Sequence, residues 1–405
     1  MGDQQIPVAT SAATGISSTA LYAPLEGVRV LDLCRLNPGA IATRKLADMG
    51  AEVVKVEEPG TGDYMRLIPP LVDGVGLLHR VHNRGKLSVT LDLNSSEGLA
   101  QLEQLGMKAD VITQSFRPGK LEKGSLKRLG DLLTELRRRR PELIICAITG
   151  FGMTGEFAQL PAHGNSIDAL SGTMSIVDRE GSPGIGAMGS LGPKVGALNA
   201  AAAICAALFR VQRTGVGVAI DISCWDAAVD CRSTRVAHWM GGYGDQTDVN
   251  DLGPLHSLYE TADEKLLLFA SIEKKFWTNF CVAIDRPDLL DRWQGGGASV
   301  AAQEQDTELR EELRQIFRAR RRDEWVRLFS QYDVIGTPVM DINEIPQLGH
   351  FRDRQLAEEN PTGLLPQIYD PIRWMDDGSR PGNGSAEAPI LGEHQDLVFE
   401  RWLRS

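Results

Sequence analysis

Short apolar runs alternate with helix-forming stretches through the first half of the chain. Residues 28–33 form an apolar run after Gly27, and residues 51–57 a second one enriched in valine, so both predict strands. Between them residues 40–49 carry helix formers and stop at Gly50, a residue suited to the left-handed position that closes a helix. Two strands joined through a helix predict parallel pairing with a right-handed crossover. The unit then repeats: strands at 87–93, 109–114 and 143–149 alternate with helices at 97–108 and 126–140. Such alternation predicts an α/β fold built on a doubly wound parallel sheet.

Further along, a glycine-rich loop over 181–196 leads into residues 197–213, which are alanine-rich and apolar on most faces. That pattern suits a helix buried in a domain or subunit interface. Residues 218–223 predict another strand. Residues 226–335 differ in character, with a helix over 225–239, a strand at 266–270 and then helices rich in Arg, Glu and Gln, which predict a second, smaller domain. Beyond residue 348 the chain is proline-containing with little periodicity, as expected of extended segments that wrap back over the first domain. Residues 1–20 are expected to be a loose N-terminal extension.

Composition narrows the function. At 405 residues two domains are expected, and 42% hydrophobic with 24% charged residues is ordinary for a globular chain. No apolar run approaches the ~18 residues of a membrane span, so no membrane partner is expected. A formal net charge of −11 argues against nucleic acid as a partner but leaves room for a local basic pocket. The first twenty residues lack a basic segment followed by an apolar one, which predicts a cytoplasmic protein without a secretory signal. The six cysteines (Cys34, Cys146, Cys205, Cys224, Cys231 and Cys281) show no CxxC spacing and are read as reduced core thiols, with no metal site implied.

Three segments carry candidate anion-binding chemistry. Asn37-Pro38-Gly39 makes a turn whose backbone amides, at the start of a helix, could meet a phosphate or thioester oxygen, or could be a plain structural turn. In Asn83-Arg84-Gly85-Lys86, Gly85 permits a close turn while Arg84 and Lys86 offer cations. In Ser115-Phe116-Arg117-Pro118-Gly119, Arg117 suits bidentate phosphate binding and Phe116 suits stacking, the alternative being an exposed loop with incidental charge. His163, after the glycine-rich stretch 149–155, has the chemistry of a general base near neutral pH.

These blocks, with residues 25–59, 149–172 and 271–277, resemble the family III CoA-transferase and α-methylacyl-CoA racemase superfamily along nearly the whole chain. The resemblance implies a Rossmann-like large domain made from both chain ends (21–225 and 336–405), a smaller α+β middle domain (226–335) and an interlocked homodimer. It implies no tightly bound cofactor, with coenzyme A or acyl-CoA as substrate and a carboxylic acid as acceptor. Asn37, Pro38, Lys55, Asn83, Lys86, Phe116 and Arg117 are then the expected CoA-binding residues. His163, oriented by Glu273, is the expected catalytic base of a racemase-type isomerase that exchanges the α-proton of a CoA thioester.

The chain also departs from the family pattern. Where both branches place a catalytic aspartate stands Gly192, and no carboxylate occurs between Glu180 and Asp221. Ser190 or Lys194 could substitute as proton donor, and Asp168 or Asp178 could reach in from elsewhere. Gly164 replaces the aspartate that usually follows the racemase histidine, and Glu58 stands where racemases often have arginine. CoA transfer between carboxylic acids is therefore the alternative expectation, and a CoA-thioester binder with lost or altered chemistry the third.

Overall fold

A computed structural model describes residues 23–186, 189–243, 253–293, 306–358, 365–376, 378–382 and 387–404; the extension expected over 1–20 lies outside them. The chain divides into two compact units, one made of residues 1–236 with 356–405 and the other of residues 237–355.

The first unit is an α/β layer structure. The strands of its main sheet are β1 (Arg29–Asp32), β2 (Glu52–Glu57), β3 (Leu87–Thr90), β4 (Val111–Gln114), β5 (Ile144–Thr149) and β6 (Ala219–Ser223). They form one six-stranded sheet in the order β3-β2-β1-β4-β5-β6, and every neighbouring pair is parallel. Val30 is in register with Val53 and Val111, and Leu31 with Val54 and Ile112. Because side chains alternate along a strand, these two rows feed opposite faces of the sheet.

On the Val30 face, α1 (Gly39–Asp48) and the long α6 (Leu191–Thr214) bury Ile41, Leu46, Ala197, Ala200 and Ile204. On the Leu31 face lie α3 (Ser96–Gly106) and α4 (Lys127–Arg139), whose Leu102, Leu105, Leu129 and Leu136 recur at helical spacing. The Ser95 side chain accepts the Gly98 N–H at 2.9 Å and so caps α3. Shorter helices of this unit include α2 (Leu77–His82), α5 (Gly164–Ser171) and α7 (Cys224–Asp230).

Three sequence expectations change. Helix α6 begins at Leu191, not at 197, because the Asp168 carboxylate accepts the N–H groups of Leu191 (2.8 Å) and Gly192 (2.9 Å), and Pro193 falls in the first turn, where its missing N–H costs nothing. Residues 225–239 form two helices, α7 and α8 (Ser233–Met240). The C-terminal segment is not all extended, since it ends in a helix, Gln395–Leu403, that buries Val398 and Trp402 in the Leu31-face core and bonds the Trp402 indole to Glu52.

In the second unit, β7 (His256–Glu260), β8 (Leu266–Ala270) and β9 (Gly336–Pro338) pair antiparallel. Helices α9 (Lys274–Ala283), α10 (Thr307–Phe317) and α11 (Arg322–Tyr332) enclose an aromatic core of Trp277, Phe280, Phe317, Trp325 and Phe329. The C-terminal helix, Gln395–Leu403, is α12.

Candidate active site

In a doubly wound sheet the strand order reverses once, and the loops leaving the two central strands there diverge to opposite faces, opening a crevice beyond their C-terminal ends. Here the reversal falls between β1 and β4. A cleft of about 950 Å³ opens there, lined by Arg35, Asn37 and Pro38 after β1 and by Ser115, Phe116 and Arg117 after β4. Thr149 and Gly150 at the end of β5, His163 and Asn165 at the start of α5, and Ser190 and Lys194 at the start of α6 complete the wall, all within the first unit.

The loop after β1 is held from beneath by buried charge. Lys55, fully buried, donates to the Cys34 carbonyl at 2.9 Å and pairs with Asp63 at 2.9 Å, while Asp63 accepts the Leu36 N–H at 3.1 Å. Lys86 donates to Asp32 (3.1 Å), Thr43 (2.7 Å), Asn83 (2.8 Å) and the Ala40 carbonyl (3.1 Å). Burial pushes the Lys86 ammonium down to about 8, with Asp32 opposing the shift. Burial works against the charge of Asp32 too, but the Lys86 and Lys55 cations outweigh it and hold the carboxyl well below its usual range.

Lys55, Asn83 and Lys86 therefore do not line the cleft: their polar atoms are spent inside the protein, and their role here is to fix the loop and α1. Asn37, Pro38, Phe116 and Arg117 do line it. Arg117 donates to the Gln159 carbonyl, and the Arg35 guanidinium lies 5.9 Å from the centre of the Phe116 ring while pairing with Glu58 at 3.2 Å. Arg35, Lys120, Thr149 and Asn165 were not singled out from sequence. The signal available for Arg35 was its place just past the end of β1, but only the strand order makes that end a binding crevice.

Carboxylates are scarce in the cleft. Among the described residues Glu58 alone lines it, and it is held by Arg35. The Asp168 carboxylate is buried against the α6 amides, and Asp178 sits in an exposed hairpin, accepting the Gly181 N–H at 2.7 Å, so neither reaches in. At Gly192 a Cβ would meet Ile167 Cγ2 at 2.7 Å, the Cys224 carbonyl oxygen at 2.9 Å and Ala228 Cβ at 3.2 Å. That position faces packed protein. Gly164 is equally committed, since a Cβ there would lie 2.1 Å from Ser190 Oγ.

His163, at the N-cap of α5, and Ser190 and Lys194 are brought together on the cleft wall. Glu273 belongs to the second unit, where it is exposed at the N-cap of α9. Two polar atoms of the wall, Asn37 Oδ1 and Thr149 Oγ1, are buried without a hydrogen-bond partner. Against one carboxylate the wall presents Arg35, Arg117, Lys120 and Lys194, a local cationic surface on a chain of net charge −11. A crevice so lined can bind an elongated anion with polar groups at its reactive end.

The chain belongs to CoA-transferase family III, whose pattern matches residues 25–395, and such enzymes act on acyl-CoA thioesters. Human succinyl-CoA:glutarate CoA-transferase is 30% identical over 404 residues, covering 94% of this chain and 86% of the human protein. Human α-methylacyl-CoA racemase is 29% identical, covering 93% of each chain. The crystal structure of the Rv3272 protein from M. tuberculosis superposes with a TM-score of 0.76 at 27% identity, covering 93% of this chain and 99% of that one.

Proposed function

We propose that the protein is a CoA-transferase that moves CoA from an acyl-CoA donor to a free carboxylic acid. The observation that carries this reading is the cationic switch-point cleft in a family III chain, most of whose named relatives are CoA-transferases. That balance favours transfer over the isomerase expected from His163.

Among the described residues the cleft wall offers no carboxylate free of a partner, and this shapes the mechanism. Both acids occupy the cleft together, and the acceptor carboxylate oxygen attacks the donor thioester carbonyl, expelling CoA thiolate and forming a mixed anhydride between the two acids. The thiolate then attacks the acceptor carbonyl of that anhydride, and the donor leaves as a carboxylate. Asn165 and His163 are the side chains on the α5 wall suited to donate hydrogen bonds to the carbonyl oxygen as charge develops.

A single-turnover reaction with enzyme in excess and ¹⁸O-labelled acceptor tests the route. Direct attack delivers one ¹⁸O to the released donor acid, whereas a covalent enzyme anhydride leaves that acid unlabelled in the first turnover. Failure to form a new CoA thioester from any donor and acceptor pair overturns the transferase reading.

The second reading, α-proton exchange by His163, is favoured by the place of its side chain on the cleft wall. It predicts deuterium wash-in at Cα of a bound acyl-CoA without an acceptor acid, and a loss on the order of 10²–10⁴ in His163→Ala.

A further inference from the structure

The loop after β1 turns on a backbone conformation that its own sequence does not favour. Leu36 has a φ of 62°, in the left-handed region where a Cβ crowds the backbone and where glycine or asparagine is usual. Among the described residues other than glycine with positive φ, Leu36 alone is apolar. Asn37, a residue better suited to that region, stands one position further on. The conformation is therefore imposed from outside the loop.

Asp63 is what imposes it. Both oxygens of its carboxylate accept the Leu36 N–H, each at 3.1 Å. The carboxylate is itself fixed, since Lys55 pairs with it at 2.9 Å and the Met65 N–H donates to it at 3.0 Å. The Asp63 N–H in turn donates to the Glu57 carboxylate at 3.0 Å. Asp63 is 3% exposed and lies behind the cleft lining, which includes Arg35, Leu36, Asn37 and Met65. From the other side of the strand-order reversal, the Ser115 hydroxyl accepts the Arg35 N–H at 2.9 Å. Rotation of Leu36 to a negative φ would redirect the chain between two wall residues, so that Arg35 and Asn37 could not both keep their places.

We propose that Asp63 is a positioning residue for acyl-CoA binding: by holding the Leu36 N–H it keeps Leu36 left-handed, and so sets Arg35 and Asn37 into the cleft before the substrate arrives. This rests on the acyl-CoA reading of the cleft. It assigns Asp63 a role that a mere anchor for the buried Lys55 charge would not have, because the role runs through one backbone dihedral.

That dihedral supplies the test. Asp63→Asn turns one of the two oxygens facing the Leu36 N–H into a donor, while Leu36→Gly makes positive φ available without a Cβ penalty. Calorimetric titration of coenzyme A into wild type, Asp63→Asn, Leu36→Gly and the double variant closes a cycle in which Leu36→Gly is its own reference. With leucine at position 36, Asp63→Asn should weaken CoA binding by about 10- to 100-fold, as expected of a displaced binding loop. In the Leu36→Gly background the same change should cost only about 2- to 5-fold, because glycine populates both signs of φ about equally. Urea unfolding should show a similar loss of stability from Asp63→Asn in both backgrounds, since Lys55 loses its carboxylate either way. Should Asp63→Asn not fold, Lys55→Met combined with Asp63→Asn removes both buried charges and carries the same comparison. Equal weakening of CoA in the two backgrounds, or no weakening with leucine in place, overturns the proposal. If wild type does not bind CoA, the acyl-CoA reading itself fails and takes this inference with it.

Discussion

A Cβ on Gly192 would overlap Ile167 Cγ2 and the Cys224 backbone carbonyl, and neither is the loose end of a long side chain. Gly192→Asp is therefore expected to destabilise the fold without supplying a nucleophile, by about 1–3 kcal/mol from overpacking before any cost of a buried charge. Urea unfolding checks the first part and CoA-transfer assays the second; a stable Gly192→Asp protein with raised turnover would contradict the packing argument. His79 is another residue whose surroundings decide its behaviour. It is fully buried, its Nε2 has no partner, and burial first, then Arg66, pushes it down to about 3. His82 is likewise pushed down to about 3 by burial and nearby cations. A depressed histidine binds its proton less readily in the folded state. Each contributes stability that is complete above the unfolded value near 6.5 and is lost as pH falls toward 3, by at most about 1.4 kcal/mol per pH unit per group. Asp48, pushed up to about 6 by burial, has the opposite sign: its contribution is complete below the unfolded value and fades as pH rises through 6. With two groups against one, melting temperature should fall between pH 6 and pH 4, and His79→Gln should flatten that slope.

At the scale of elements, the start of α6 depends on one carboxylate from α5. Asp168→Ala leaves the Leu191 and Gly192 amides without their acceptor, and loss of such a cap costs about 0.5–2 kcal/mol. Because Ser190 and Lys194 ride on that first turn, acyl-CoA affinity should drop together with stability in Asp168→Ala, while Asp168→Asn, which keeps one acceptor oxygen, should retain more of both. Denaturant titration and calorimetry on the two variants separate this from a purely local effect: unchanged acyl-CoA binding in a destabilised Asp168→Ala would disconnect the cap from the cleft. The alternating strands and helices of the first half were legible in the sequence because each buries one face at its own period. The cap was not legible, since it joins residues more than twenty positions apart and carries no local pattern.

On the scale of the whole molecule, the described residues that line the cleft all belong to the first unit, and the second has an aromatic core of its own. Helix α6 runs 24 residues and is long and apolar enough to cross a membrane by length and composition, although the sequence pattern predicted no such run. Eight of its residues, among them Ala197, Ala200 and Ile204, are buried, yet Leu198 and Phe209 are 50% and 62% exposed. An apolar face of this kind can be covered by another protein surface, and we propose a homodimer. Sedimentation equilibrium should give twice the chain mass for wild type and a shift toward the single-chain mass in Leu198→Glu combined with Phe209→Glu. A wild type that sediments as one chain would remove the dimer.

By itself the sequence determined the α/β class, the parallel strands and the motifs that mark the family, because period and short motifs are local properties of a chain. It also determined what is missing, since a carboxylate absent from 181–220 cannot be restored by folding. Only the tertiary structure decided which charges face the substrate. Lys55, Asn83 and Lys86 look from sequence like Arg117, with polar groups ready for an anion, but the fold puts them beneath the β1 loop, where Asp63 and the Cys34 carbonyl occupy Lys55, Asp32 occupies Lys86, and Lys86 and His79 occupy Asn83. Asp168 looked able to reach the cleft until its carboxylate met the α6 amides, and Gly192 looked like a vacancy until Ile167 and Cys224 closed around it. The reason is the same in each case: a side chain's chemistry belongs to the residue, whereas its direction and partners are set by segments far away in sequence, which only the packed sheet and its helices bring together.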